Sequence, residues 1–173
     1  TNGTLLDDDF IKYMKENKFI NVAYSIDGMK ETHDLNRKTI DGNGTFDIVQ
    51  TNAKKLLYYF NEVVAMSVIT RNNLFNLSKN VEYLIDMGFK YINLLFDYSQ
   101  DWQDEDLKEI KKQYNEVAEI YANKILQESD VEIPLIDDKI RTYIKDEYNC
   151  NEDCKLGMKT INMGTDGNFY PCM

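Results

Sequence analysis

The sequence predicts a parallel α/β fold that gives way, after about residue 148, to a small cysteine-bearing β element. Three observations point there. Short, largely apolar, β-prone runs alternate with helical patterns along most of the 173 residues, the order that right-handed βαβ units require. Hydrophobic residues make up 43% of the chain and charged residues 29%, enough apolar surface for one packed core. From Thr160 onward the helical period disappears, and all three cysteines fall between Cys150 and Cys172.

Each element follows from its residues. Residues 7–17, "DDDFIKYMKEN", predict a short helix: aspartates fill the first turn, where the helix dipole favours them, and Phe10, Ile11 and Met14 recur at helical spacing. "FINVAYSIDG" (19–28) reads as a buried strand that runs into an Asp-Gly turn. Residues 45–60, "TFDIVQTNAKKLLYYF", predict a helix with Thr45 as N-cap, and "EVVAMSVIT" (62–70) a second strand. "LSKNVEYLIDMG" (77–88) is a further helix, with Ser78 as N-cap and Gly88 as its stop, before the third strand "YINLLF" (91–96). A long amphipathic helix is expected over about 104–128, and a shorter one, opened by Pro134, over 133–146. "KTINMGTDGNFYPC" then reads as two short strands joined at Asp166-Gly167, while "TNGT" at the start is a turn or a strand end.

Charge narrows the function classes. The net charge is −10, and the lysines sit among acids, as in "DEDLKEIKKQYNE", so no basic patch is available for a nucleic acid or an anionic membrane surface. No run of about 18 apolar residues is long enough to span a bilayer. No basic-then-apolar leader precedes the first helix, and the expected location is the cytoplasm, although the chain opens on Thr1 without a starting Met. Neither a GxxxxGK[ST] loop, a GxGxxG turn nor a Ser-His-Asp arrangement is present.

In parallel α/β folds the ligand sits beyond the carboxyl ends of the strands. Here those loops are "SIDGMKETHDLNRKTIDGNG", "TRNNLFN" and "DYSQDW". The first places a hydroxyl, Ser25, at a strand end, with Asp27, Gly28, His33 and Arg37 after it. An Arg that forks onto a carboxylate beside a strand-end hydroxyl suits a small zwitterionic ligand. The same residues also read as an ordinary polar loop, with an Asp-Gly turn, a surface Arg and a hydrogen-bonding His.

Cys150 and Cys154 are separated by three residues, and Cys172 follows near the end of the sequence. Reduced cytosolic thiols and an odd count disfavour a disulfide framework. Zinc would need a fourth ligand, and the one histidine, His33, lies far away in another loop. Thiolates alone suit an iron–sulfur cluster, which in the usual case takes four, so a further ligand is expected beyond Met173. Three unrelated thiols remain the plain alternative.

These pieces in this order resemble the radical S-adenosylmethionine (SAM) enzymes with a SPASM extension, which include the anaerobic sulfatase-maturing enzymes and the maturases of thioether-containing peptides. The resemblance rests on "TNGTLL" (1–6), "SIDG....HD..R" (25–37), "GNGTFDIV" (42–49) and "C...CKLG.......DG.FYPC" (150–172). It implies a TIM-like partial (β/α)6 barrel of parallel strands that binds SAM and a [4Fe–4S] cluster, followed by a SPASM domain with auxiliary [4Fe–4S] clusters. Residues 1–148 would be the second half of that barrel, and 149–173 the start of the SPASM domain with its small β-hairpin. The family's CxxxCxxC, which holds the SAM-cleaving cluster, precedes the matched stretch. This stretch is therefore expected to be inactive without the N-terminal half-barrel and the rest of the SPASM domain.

Position by position, the resemblance implies that Ser25 and Arg37 contact the ribose and carboxylate end of SAM, and that the backbone near Tyr98 meets the adenine. Cys150, Cys154 and Cys172 match three ligands of the first auxiliary cluster, which is incomplete here. One departure bears on the reaction. In sulfatase-maturing enzymes an Asp that acts as base follows the Cys of "YPC", and here Met173 stands in its place and cannot take a proton. The expectation is therefore an oxidoreductase of the peptide-maturase kind, whose 5′-deoxyadenosyl radical abstracts hydrogen from a peptide or protein substrate. A sulfatase-maturing enzyme and a non-catalytic binding module with structural or zinc-bound cysteines are the alternatives.

Overall fold

The computed structural model describes residues 1–17, 21–145, 162–164 and 166–170. The chain divides into two compact units, Thr1–Asp137 and Asp138–Met173. In the first, three strands, β1 (Ala23–Ser25), β2 (Val64–Ile69) and β3 (Tyr91–Phe96), form a parallel sheet in the order β1-β2-β3. Helices fall before and between them: α1 (Asp8–Glu16), α2 (Lys30–Asn36), α3 (Phe46–Tyr59) and α4 (Leu77–Met87). After β3 come α5 (Asp104–Leu126) and α6 (Pro134–Lys145), which crosses the division between units. The expected parallel α/β order is what the chain adopts.

Strand pleating sorts the sheet into two faces. Tyr24, Ala65 and Ile92 lie side by side in register, and each is fully buried in one core with residues of α1, α3, α4 and α5. The opposite pleat row, Ser25–Met66–Asn93, is half-buried. Parallel sheets are normally covered on both faces, so this second face stands out as only partly covered by the described residues.

Local chemistry explains most helix ends. The Asp7 side chain accepts the Phe10 N–H at 2.8 Å to start α1, and Gly88, with φ 107°, closes α4 as expected. Gln103 and Asp106 form a reciprocal capping box at the start of α5. Two expected caps act differently. Thr45 occupies the N-cap position of α3, but its hydroxyl is bonded elsewhere and Asp34 Oδ1 accepts the Phe46 N–H at 2.9 Å instead. Ser78 lies inside α4, where its hydroxyl donates to Glu116 and its N–H to Gln113, tying α4 to α5. Ile11 and Met14 are buried in α1 as the spacing predicts, whereas Phe10 is turned outward.

In the second unit, β4 (Asn162–Met163) and β5 (Phe169–Tyr170) pair antiparallel. Their turn falls at Asp166-Gly167 as expected: Gly167 has φ 80°, and the Asp166 carboxylate accepts from the Asn168 N–H and the Tyr170 hydroxyl. No helix among the described residues is long and apolar enough to cross a membrane.

Candidate functional site

At the carboxyl end of β1, Thr1 pairs beside the strand: its backbone nitrogen donates to Ala23 O at 2.7 Å and its carbonyl accepts the Ser25 N–H at 2.9 Å. Ser25 is the last residue of β1 and faces the half-open side of the sheet beside Met66, with Asn93 beyond. Neither the Ser25 hydroxyl nor the Asn93 amide side chain makes a hydrogen bond among the described residues. Asn93 carries no sequence signal beyond being a polar residue inside an apolar strand.

The loop after Ser25 is built around Asp27. This carboxylate is sealed from water, and Arg37 forks onto it, Nε to Oδ2 at 2.7 Å and Nη2 to Oδ1 at 2.9 Å. Val68 of β2 donates its N–H to Asp27 Oδ1 at 3.0 Å. The Asp27 N–H donates to His33 Nδ1 at 3.3 Å, and His33 Nε2 lies 3.1 Å from Thr45 Oγ1, which donates to the Arg37 carbonyl at 2.9 Å. With Nδ1 accepting, the proton of a neutral imidazole sits on Nε2. Burial holds the His33 pKa below its ordinary value, with Asp27 pulling the other way.

The next turn is equally constrained. Gly28 has φ 124°, and a Cβ there would come 2.3 Å from Asn80 Oδ1. That oxygen instead accepts the Met29 N–H at 3.1 Å. Asn80, buried in α4, thus holds a loop that lies 51 residues earlier, a role no local pattern reveals.

The other two strand-end loops complete the rim. Beyond β2, Asn73 accepts the Thr70 N–H and donates to Val68 O, and Arg71 Nε lies 2.7 Å from Asp106 Oδ2 of α5 without an aligned hydrogen bond. Beyond β3, Asp97 accepts from the Ser99 hydroxyl and N–H, bonds that hold its carboxyl below the usual range. Trp102 donates Nε1–H to Asp97 O and sets its ring edge-on to Phe96 at 5.8 Å. Between them Tyr98 is exposed, and its backbone N–H and C=O are unpaired among the described residues.

Ser25 and Arg37 are thus brought to one loop, and Tyr98 to the far side of the same sheet end. A cavity of about 420 Å³ lies at the opposite, amino end of the strands, between Met14, Val22, Tyr59 and Val63. Ser25 ends β1, Asn93 lies level with it across Met66, and the Tyr98 backbone lies past β3. These groups, unpaired among the described residues, lie toward the carboxyl ends of the strands, where parallel α/β folds hold their ligands, and the candidate site is there. Cys150, Cys154, Cys172 and Met173 lie outside the described residues. Among the described residues no group of three or more His, Cys, Asp or Glu is placed to hold a metal ion.

No family model matches the chain. A cysteine-type anaerobic sulfatase-maturating enzyme of Clostridium perfringens (strain 13 / Type A) is 28% identical over 185 residues, covering 99% of this chain and 48% of that protein. A serine-type anaerobic sulfatase-maturating enzyme of Bacteroides thetaiotaomicron is 38% identical over 86 residues, covering 50% of this chain and 19% of that protein. Among solved structures, native anSMEcpe with bound AdoMet (SAM) matches with a TM-score of 0.77 at 26% identity, over 99% of this chain and 48% of that one. The same protein with AdoMet and a Cp18Cys peptide matches with a TM-score of 0.76 at 26% identity, over 99% and 49%. The chain spans about half the length of the curated relatives that it matches from end to end. Its homologues are anaerobic sulfatase-maturating enzymes, and the resemblance to radical SAM/SPASM enzymes read from the sequence holds along the chain.

Proposed function

We propose that this chain is the SAM-binding half of a barrel, with the entrance to a SPASM domain, in a radical SAM enzyme that modifies a peptide or protein. The observation that carries the proposal is the set of unpaired polar groups at the carboxyl ends of the strands, in a chain that matches a SAM-bound relative over 99% of its length. The donor chemistry suits SAM. The Ser25 hydroxyl would meet the ribose and amino acid end, and the free Tyr98 backbone the adenine edge. Arg37 lies at the same end, with its outer Nη1–Nη2 edge left outside its bonds to Asp27. The half-open row Ser25–Met66–Asn93 would face the interior of the completed barrel. SAM bound there would, on receiving one electron from a [4Fe–4S] cluster held outside this chain, supply the 5′-deoxyadenosyl radical that removes hydrogen from the substrate.

Three thiolates, Cys150, Cys154 and Cys172, form a soft donor set one short of the four that a [4Fe–4S] cluster takes, and would serve an auxiliary cluster completed downstream. No cysteine is then left in the chain to hold a SAM-cleaving cluster, so the chain by itself is not catalytic.

The relatives favour maturation of a sulfatase Cys or Ser as the reaction. Met173 favours a second reading, a thioether peptide maturase, because it stands where the sulfatase chemistry needs a base. The full-length protein containing this chain, reconstituted with iron and sulfide without oxygen, tests both by mass spectrometry. Cleavage of SAM to 5′-deoxyadenosine with conversion of a sulfatase-motif peptide is the expected result. Cleavage with no change in that peptide, but a thioether in another, selects the second reading. Zinc in place of iron and no SAM cleavage overturns both and leaves a binding module.

A further inference from the structure

Four residues after β1 form a closed ring through side chains and two backbone groups. From Asp27 the path runs through its N–H to His33 Nδ1, from His33 Nε2 to Thr45 Oγ1, and from that hydroxyl to the Arg37 carbonyl. The Arg37 guanidinium then returns to the Asp27 carboxylate. Asp27, His33 and Thr45 are 1%, 0% and 8% exposed, so each of these three has traded water for another member, while Arg37 stays partly open. The ring is anchored to the sheet where Val68 N–H reaches Asp27 Oδ1, and Asn80 fixes the adjoining turn through Met29.

We infer that Asp27, His33, Thr45 and Arg37 are positioning residues that hold the Ser25–Met29 segment in shape for the ligand, and that Arg37 acts through Asp27 rather than on the ligand's carboxylate. This rests on the proposal that the site binds SAM. The geometry gives two reasons. The Nε and Nη2 edge is spent on Asp27, so a ligand carboxylate would have only the outer Nη1–Nη2 edge, whose Nη2 already serves Asp27 Oδ1. Transferring Arg37 to the ligand would also strand a buried carboxylate whose other donor is one neutral backbone N–H.

The test uses the full-length protein and compares binding of SAM with binding of its decarboxylated analogue. If Arg37 positions the loop, Arg37→Ala weakens both ligands by the same factor, roughly 10- to 100-fold, the range seen when a group that orients a ligand-holding residue is lost. A loss confined to SAM, with the analogue unaffected, overturns the inference and makes Arg37 a carboxylate contact. Should Arg37→Ala fail to fold, Arg37→Lys carries the same comparison. The ring is judged separately, without ligand, by hydrogen exchange in Thr45→Val. Faster exchange at the Asp27 and Val68 amides is expected, and unchanged exchange at both overturns the ring. If the wild-type protein binds no SAM while Thr45→Val still loosens those amides, the functional proposal fails and the ring stands as architecture.

Discussion

Arg37 and Asp27 form a two-pronged ion pair, Nε to Oδ2 at 2.7 Å and Nη2 to Oδ1 at 2.9 Å, around a carboxylate that is 1% exposed. Removing one partner of such a pair leaves an uncompensated buried charge, at a cost of about 3–5 kcal/mol. The guanidinium is partly open to solvent, which places the expected cost of Arg37→Ala near the lower end, about 3 kcal/mol. Urea unfolding followed by circular dichroism measures it. A loss under about 1 kcal/mol would mean that water screens the pair as it does on a surface. Arg37→Lys, with a compact charge and no fork, should fall between.

His33 makes stability depend on pH in a definite direction. Burial first of all lowers its folded-state pKa below the ordinary 6.5, so on acidification the unfolded chain takes up this proton before the folded one does. Stability therefore rises with pH in this window: the contribution is complete above the unfolded value and falls, by up to about 1.4 kcal/mol per pH unit, as pH drops from there toward the folded value. Protonation would also set a new N–H against the Asp27 N–H that now donates to Nδ1. Unfolding midpoints at about pH 7.5 and about pH 5.5 for wild type and His33→Gln check this. The wild type is expected to lose more on acidification, and parallel losses would assign the slope to the carboxylates.

The strands and the larger helices were legible because their apolar residues recur at the right period between turn signals. α2 was not. Its sequence "KETHDLN" has no apolar stripe, and its inward residues Thr32 and His33 are polar; Asp27 and Thr45 hold the His33 ring, while the Thr32 hydroxyl has no hydrogen-bond partner among the described residues. The same cause misplaces the caps. Thr45 stands at the N-cap position and Ser78 just inside its helix, and tertiary bonds to Arg37 and Glu116 claim both hydroxyls. At the site, the sequence identified an Arg fit to fork a carboxylate but could not say whose. Asp27, ten residues earlier, and a ligand's carboxylate satisfy the same chemistry. Asn80 and Asn93 lay beyond reach because their significance comes from what the fold brings beside them.

Gly28 is expected to tolerate no side chain. Its φ of 124° strains any other residue, and a Cβ would meet Asn80 Oδ1 at 2.3 Å. Gly28→Ala should cost about 2 kcal/mol or more from these two sources. Asn80→Ala removes Oδ1 and Cγ from the clash but leaves the Asn80 Cβ, 2.4 Å from the added one, and it loses the acceptor for the Met29 N–H, at about 1 kcal/mol. Because the two changes share one contact, the double variant should lose less than the sum of the singles. Strict additivity in thermal or urea unfolding would show that the clash relaxes by another route.

Ser25 separates a binding role from a structural one. Its hydroxyl makes no hydrogen bond among the described residues, and it stands half-buried on the open face of the sheet. Nothing in the fold is lost when it is removed, so Ser25→Ala should leave unfolding within about 0.5 kcal/mol of wild type. If the hydroxyl holds SAM, the same variant of the full-length protein should bind SAM more weakly by about 0.5–1.5 kcal/mol, the worth of one hydrogen bond. Equilibrium dialysis against labelled SAM reads this directly. Unchanged affinity would remove Ser25 from the site and move the ligand along the row toward Asn93, whose amide side chain is likewise unpaired among the described residues.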